Sequence, residues 1–262
     1  MIRLCVAGAT GRMGSTIIRE ALSSGFNIVG AIAASGEPGI GKTLRELDIC
    51  SLDLAIVDPS RIEEAVRMAD VYVTFTSPKA ELENLPKVAD MGKRIVMGTT
   101  GFKDEDLIKV KEYVAKRVPA VFSPNFSIGV NFLLKMLKVL KSLPDGYDVS
   151  IVEAHHAGKK DAPSGTARLI AKQISDLRGY KRQVYGREGI NPRKREEMEV
   201  VSIRGGGIPG IHKIVIAGPH DMITVEHVAF SRSVFAQGAL YATEWLMRQT
   251  RKGVYSMEDV LG

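Results

Sequence analysis

The chain has 262 residues, 45% of them apolar and 25% charged, with a formal net charge of +6. That is enough chain for one large core or two modest ones in an ordinary soluble globular protein, and no apolar run reaches the roughly 18 residues a membrane span needs. The excess positive charge does not form a nucleic-acid surface. Its densest run, 178–195, is followed at once by Glu196, Glu197 and Glu199, and neither helix-turn-helix nor zinc-finger spacing accompanies it, so small anions are the expected partners.

The first half alternates strand and helix. Strand patterns fall at 2–7, 27–33, 54–57, 71–75, 94–97 and 120–122, with helical spacing at 15–24, 60–68, 81–90 and 104–116 between them. Strands separated by helices of this length predict a parallel, doubly wound sheet with right-handed crossovers. After Pro124 the pattern changes. An amphipathic stretch at 128–143 predicts a long helix, and longer strand patterns follow at 147–154, 198–203, 212–217 and 223–230, several of them consecutive. That order predicts a second α+β domain on a mixed or mostly antiparallel sheet. A last helix at 234–249 is expected to pack back on the first domain. The expected boundaries are 1–126 plus 233–262 for one domain and 127–232 for the other. Cys5 and Cys50 are the only cysteines and lie in no metal-spaced cluster, so no metal site is expected. A chain that opens directly into a strand is expected to carry no signal peptide, and so few cysteines suit a reducing cytoplasm.

Gly8-Ala-Thr-Gly-Arg-Met-Gly14 joins the first strand to the first helix. Glycines there let a pyrophosphate approach the backbone N–H groups of the helix N-terminus. The spacing is G-x-x-G-x-x-G rather than G-x-G-x-x-G, so the strand–turn–helix context carries the reading of a dinucleotide site. The second strand ends Ala31-Ile-Ala-Ala-Ser35, without the acid that would accept from an NAD ribose and repel a 2′-phosphate. With Arg12 and Lys42 nearby, NADPH is admitted and NADH is not excluded. A competing signal lies at Gly36-Glu-Pro-Gly-Ile-Gly-Lys-Thr43, a literal match to G-x-x-x-x-G-K-[ST] that would make the chain a nucleotide hydrolase. The short apolar stretch after Thr43 speaks against it.

Glu153-Ala-His-His-Ala-Gly-Lys-Lys-Asp-Ala-Pro-Ser-Gly-Thr-Ala167 connects a strand to a helix whose apolar face is Ala167, Ile170, Ile174 and Leu177. Ser164 is placed to cap that helix, with its leading N–H groups at Gly165 and Thr166. A helix N-terminus beside His155, His156, Lys159 and Lys160 combines a partial positive charge, fixed cations and protons that titrate near pH 7. The combination suits a small acidic substrate, a carboxylate as readily as a phosphate.

These segments together resemble the dihydrodipicolinate reductase family. The resemblance rests on residues 8–14, on Gly98-Thr-Thr-Gly101, on Ser123-Pro-Asn-Phe-Ser127, on 153–167, on Arg204-Gly-Gly-Gly-Ile-Pro-Gly-Ile-His212 and on the ending Tyr255-Ser-Met-Glu-Asp-Val-Leu-Gly262, and it runs along nearly the whole chain. It implies a Rossmann domain, a substrate domain whose sheet builds a homotetramer, and hydride transfer from NADH or NADPH to C4 of a cyclic dicarboxylate on the diaminopimelate route to lysine. Carried over by position, Gly8, Ala9, Thr10, Gly11, Arg12 and Met13 hold the pyrophosphate. Gly98, Thr99, Thr100, Ser123, Pro124, Asn125 and Phe126 line the nicotinamide side. His155 is the implied proton donor and Lys159 the second catalytic residue, with His156, Ser164, Gly165 and Thr166 as substrate contacts. Ala33 and Ala34 stand where some members carry a Glu-Arg pair, which leaves cofactor preference open. The implied enzyme is cytoplasmic, with no nucleic-acid or membrane partner. The alternatives are the hydrolase and another NAD(P)-dependent dehydrogenase on the same two-domain plan.

Overall fold

The computed structural model describes residues 1–262. It divides into two compact units, 1–128 with 232–262, and 129–231.

The first unit is built on a seven-stranded sheet. In sheet order its strands are β12 (Gly253–Tyr255), β6 (Pro119–Phe122), β5 (Arg94–Met97), β4 (Val71–Thr74), β1 (Arg3–Ala7), β2 (Asn27–Ile32) and β3 (Ile56–Val57), every pair parallel. Alternation along these strands divides the core into two layers. Val6, Val73, Val96 and Val121 face α1 (Arg12–Ser23) and α7 (Ser233–Met247), while Cys5, Tyr72, Ile95 and Ala120 face α2 (Ile62–Val66), α3 (Pro78–Asp90) and α4 (Asp104–Ala115). Burial on both faces explains why these strands read as continuous apolar runs rather than as alternating ones. The expected doubly wound sheet is therefore present.

Local differences have local causes. Only Ile56 and Val57 of the stretch 54–57 join the sheet, because the Leu54 carbonyl accepts from the Leu44 N–H at 2.9 Å and Ala55 bridges Thr43. β12 went unpredicted because three half-buried residues carry no periodicity.

The second unit carries a five-stranded sheet in the order β11 (Met222–Val228), β10 (Ile211–Ala217), β7 (Asp148–His155), β9 (Glu197–Arg204), β8 (Arg182–Val184). β10 runs antiparallel to both neighbours, whereas β9 is parallel to β7 and β8, so the sheet is mixed. The expected helix at 128–143 is α-helical only over Ile128–Leu137 (α5) and tightens to a 3-10 turn at Lys138–Ser142. α6 (Gly165–Arg178) lays Ala167, Ile170, Ala171 and Ile174 on Val149, Ile151, Met198, Val200, Ile214 and Ile216. By the period of two, the same sheet face continues through Glu153 and His155, Ser202 and Arg204, and His212. One end of this face is thus dry and the other polar, with the N-terminus of α6 at the polar end.

The seating of α7 in the first unit is tested at Gly238, where an added Cβ would lie 1.7 Å from the Phe126 carbonyl oxygen. Glycine to alanine within a helix ordinarily stabilises by up to about 1 kcal/mol. Gly238→Ala is expected instead to lose about 1–3 kcal/mol by forcing the contact apart, read as a lower urea midpoint. A midpoint that rises would show that α7 does not sit against this carbonyl.

Candidate active site

In the first unit, the loops that leave β1, β4, β5 and β6 lie at one edge of the parallel sheet, and strand order changes direction at β1. Ligands of open α/β sheets bind at that edge. Residues 8–13 form the β1–α1 turn, 98–100 follow β5, and 123–126 follow β6, so the predicted cofactor residues share an edge. The turn has the shape a pyrophosphate needs. A Cβ on Gly14 would stand 2.0 Å from the Gly8 carbonyl oxygen, and Gly8 itself has φ +76°. α1 is capped by Gly11 without any side-chain hydrogen bond and has no acid in its first turn. Its leading N–H groups therefore have neither a side-chain cap nor an acid beside them, next to the exposed Arg12.

Behind this edge lies a buried acid with no predicted role. Glu81, on the first turn of α3, is fully buried. Its Oε1 lies 2.6 Å from each of the Thr74, Thr76 and Thr99 hydroxyls, and the Thr99 Oγ1 accepts from the Thr76 N–H at 2.8 Å. Burial raises this carboxyl above its ordinary value despite the three hydroxyls. The β4 and β5 loops are thereby tied to each other. Thr99, Ser123, Asn125 and Phe126 are buried and shape their loops. The Ser123 hydroxyl donates to the Asn125 carbonyl at 2.7 Å, and the Asn125 Oδ1 accepts from the Ser127 N–H at 2.8 Å. Pro124 and Thr100 are exposed.

The G-x-x-x-x-G-K-T match is not a phosphate loop. Residues 44–48 form successive turns instead of a helix, and the Thr43 N–H donates to its own neighbour Glu46 at 2.6 Å. A nucleotide triphosphate would find no helix N-terminus there.

In the second unit, the polar end of the sheet is organised by Glu153, which is fully buried. Its carboxylate accepts from both terminal nitrogens of Arg204 at 2.7 and 2.9 Å and from the Ser164 N–H at 3.1 Å, and it lies 2.5 Å from His155 Nδ1. Burial pushes this acid up, but the hydrogen bonds from Arg204, Ser202, His155 and the Ser164 backbone outweigh it and hold it at about 2. An ionised Glu153 fixes the His155 proton on Nδ1 and turns Nε2 outward, toward Gly210. Burial lowers the His155 imidazole; Glu153 opposes that, while the Lys159 and Arg204 charges add to it, and the net direction is down.

Ser164 caps α6, its hydroxyl accepting from the Ala167 N–H at 3.1 Å. Gly165 is exposed at the start of the helix, Thr166 is half-buried, and no acid occupies the first turn. Lys159 Nζ donates to Asp161 at 2.7 Å, and His156, the residue immediately after the end of β7, is half-buried. The structure thus places His155, His156, Lys159, Ser164, Gly165 and Thr166 on one connection. It adds Glu153, Arg204 and His212, residues of the motifs that carried no predicted role. Their signal was cross-strand pairing, which one sequence does not print.

Residues 2–126 match the family described as dihydrodipicolinate reductase, N-terminus, and residues 129–261 match its C-terminus. Over its whole length the chain is 41% identical to the full 4-hydroxy-tetrahydrodipicolinate reductase of Methanosarcina mazei. It is 43% identical, again over its whole length, to that of Rubrobacter xylanophilus, covering 98% of the relative. A solved dipicolinate-bound dihydrodipicolinate reductase from Paenisporosarcina sp. TG-14 is similar with a TM-score of 0.77 and 26% identity, over 99% of both chains. An amine dehydrogenase from Mycobacterium smegmatis, at 15% identity and a TM-score of 0.66 over 97% of this chain and 94% of its own, shares the fold alone.

The Glu153–Arg204 pair makes a stability prediction. Arg204→Met leaves a buried carboxylate without its cation and is expected to cost about 3–5 kcal/mol, measured by urea unfolding at pH 7. The folded Glu153 titrates at about 2, below its ordinary 4.5. Its contribution is therefore complete above pH 4.5 and is lost as pH falls toward 2. Glu153→Gln should flatten the stability profile in that window, and an unchanged slope would count against the pairing.

Proposed function

The chain belongs to the dihydrodipicolinate reductase family, and from that premise we propose how its residues divide the work. It is an NAD(P)H-dependent oxidoreductase that reduces 4-hydroxy-tetrahydrodipicolinate to tetrahydrodipicolinate on the diaminopimelate route to lysine. Residues 1–126 with 233–262 form the dinucleotide-binding domain, and 127–232 the substrate-binding and oligomerisation domain. Gly8, Ala9, Thr10, Gly11, Arg12 and Met13 hold the pyrophosphate; Gly98, Thr99, Thr100, Ser123, Pro124, Asn125 and Phe126 line the nicotinamide side. When bound, the reduced nicotinamide supplies the hydride.

The single observation that carries the rest is the His155–Glu153 pair beside the N-terminus of α6. Gly165, Thr166 and Ser164 hold one substrate carboxylate at that helix end, and Lys159 and His156 supply positive charge and a further contact. Reduction leaves electron density on the ring that needs a proton. His155 gives it from Nε2, and Glu153 keeps the ring oriented and stabilises the imidazolium beforehand. The protein is cytoplasmic, in keeping with two free cysteines, and no helix is long and apolar enough to cross a membrane. It assembles as a homotetramer through the sheet face opposite α6, where Val152, Val201 and Val215 are only half-buried and Ile203 and Met222 are exposed.

A coupled assay supplying freshly made substrate and following loss of NAD(P)H absorbance tests the reaction. In it, His155→Gln is expected to lower turnover about 100- to 10,000-fold while NADPH affinity holds. Weakened cofactor binding with normal turnover would remove His155 from the chemistry.

The acid form of His155 is the active one, so rate is lost as pH rises. Burial and neighbouring cations lower its pKa in the free protein, which places the descending limb of kcat/KM below the ordinary histidine range. A bound dicarboxylate adds negative charge and raises it, so the limb of kcat should lie at higher pH. Coincident limbs would mean that the substrate's carboxylates do not reach His155.

For the cofactor, Arg12→Ala should raise the KM for NADPH more than Lys42→Ala does, since Arg12 stands in the phosphate turn and Lys42 beyond β2. NADH-dependent turnover should survive Lys42→Ala almost unchanged. A dead Lys42→Ala enzyme would reinstate the hydrolase.

A further inference from the structure

His212 belongs to no role assigned so far. It lies on β10, paired across to Glu153 on β7 and to His227 on β11, and is only 4% exposed. Its Nε2 is 2.9 Å from the Ser164 hydroxyl oxygen, whereas its Nδ1 is enclosed without a hydrogen-bonding partner. The His155 ring stands edge-on to it at 5.2 Å between centroids. A neutral imidazole carries its proton on one nitrogen only, and the two choices differ in cost here. With the proton on Nδ1, the protein buries an N–H that bonds to nothing. With the proton on Nε2, the orphan is a bare lone pair. Buried orphan donors are rare and expensive, and under-used acceptors less so. The doubly protonated ring is disfavoured as well, because burial and then the neighbouring His155 push His212 down to about 4.

The tautomer has a consequence for Ser164. A hydroxyl has one hydrogen and two lone pairs. The Ala167 N–H occupies one pair at 3.1 Å, and an Nε2–H of His212 occupies the other. The hydroxyl hydrogen then has no acceptor among these neighbours and lies at the N-terminus of α6, where an anion is expected. We infer that His212 is a positioning residue that locks the Ser164 hydroxyl as a hydrogen-bond donor to the bound carboxylate. This rests on the proposed seating of the dicarboxylate at α6. The opposite tautomer has the opposite effect: Ser164 would donate to His212 and be spent before any ligand arrived.

The two arrangements are separated by one spectrum and one binding series. In histidine-labelled protein, correlation of ring C–H protons with ring nitrogens at pH 7 should show His212, assigned in the wild type by the through-space contact of its ring protons with the edge-on His155 ring, as the Nε2–H tautomer. Titration of pyridine-2,6-dicarboxylate into the NADPH-bound enzyme should show His212→Leu binding about 3- to 10-fold more weakly, the size of one neutral hydrogen bond. NADPH affinity should stay unchanged. On a Ser164→Ala background, His212→Leu should add less than about 2-fold, since its effect passes through that hydroxyl. A merely structural His212 would weaken both backgrounds alike and overturn the inference. Tighter binding in His212→Leu, or an Nδ1–H tautomer in the wild type, overturns it whatever the reaction, and the spectrum decides even if the variant fails to fold. If the wild type shows the Nε2–H form but does not bind the dicarboxylate, the seating at α6 fails, and with it the ligand assigned to Ser164.

Discussion

The carboxylate of Glu153 is where the architecture of the second unit meets its chemistry. An ionised acid without water needs a cation and a full set of donors, and the donors here come from three elements: Arg204 and Ser202 from β9, the Ser164 N–H from the start of α6, and His155 from two residues along β7. Satisfying the charge therefore fixes three things together. The end of β9 is pinned to β7, the N-terminus of α6 is anchored over the polar end of the sheet, and one imidazole is held in a single orientation. Removing Glu153 would release all three. That is why a residue that touches no ligand controls so much of the site.

The first unit solves a related problem in the opposite electrostatic sense. Glu81 is as buried as Glu153 but has only the hydroxyls and backbone of its threonine neighbours and no cation, so its carboxyl is pushed up where that of Glu153 is held down. Two acids of one chain thus separate by environment: one is a charge held by its cation beside a histidine, and the other an upward-shifted carboxyl that ties the β4 and β5 loops. Neither contacts solvent. In each case the acid orients the groups that do, by hydrogen bonds whose geometry leaves those groups little freedom.

The strand–helix alternation, the glycine turn, the Ser164 cap and the loop of histidines and lysines were all legible in the sequence. So was the family, through motifs spaced along nearly the whole chain. The conflicting signals were also local. Gly36–Thr43 satisfies every letter of a phosphate-loop pattern, yet Thr43 is held by Glu46 and by an isolated bridge to Ala55, and no helix follows. The long helix at 128–143 similarly kept its apolar spacing across a point where the backbone tightens to 3-10 geometry.

The sequence by itself determined the elements and their caps, because helix spacing, strand alternation and capping are set by residues within about four positions of one another. It also showed a glycine-lined helix end and a cationic helix end, each suited to an anion. Only the tertiary structure decided which side chains meet there. Arg204 reaches Glu153 across 51 residues, and His212 reaches Ser164 across 48. Those meetings depend on strand register, since a slip of one residue would turn Glu153, His155, Arg204 and His212 to the opposite face of the sheet. Register is set by the packing of Val149, Ile151, Val200 and Ile214 under α6, a cooperative property of the whole layer that no short stretch of sequence contains.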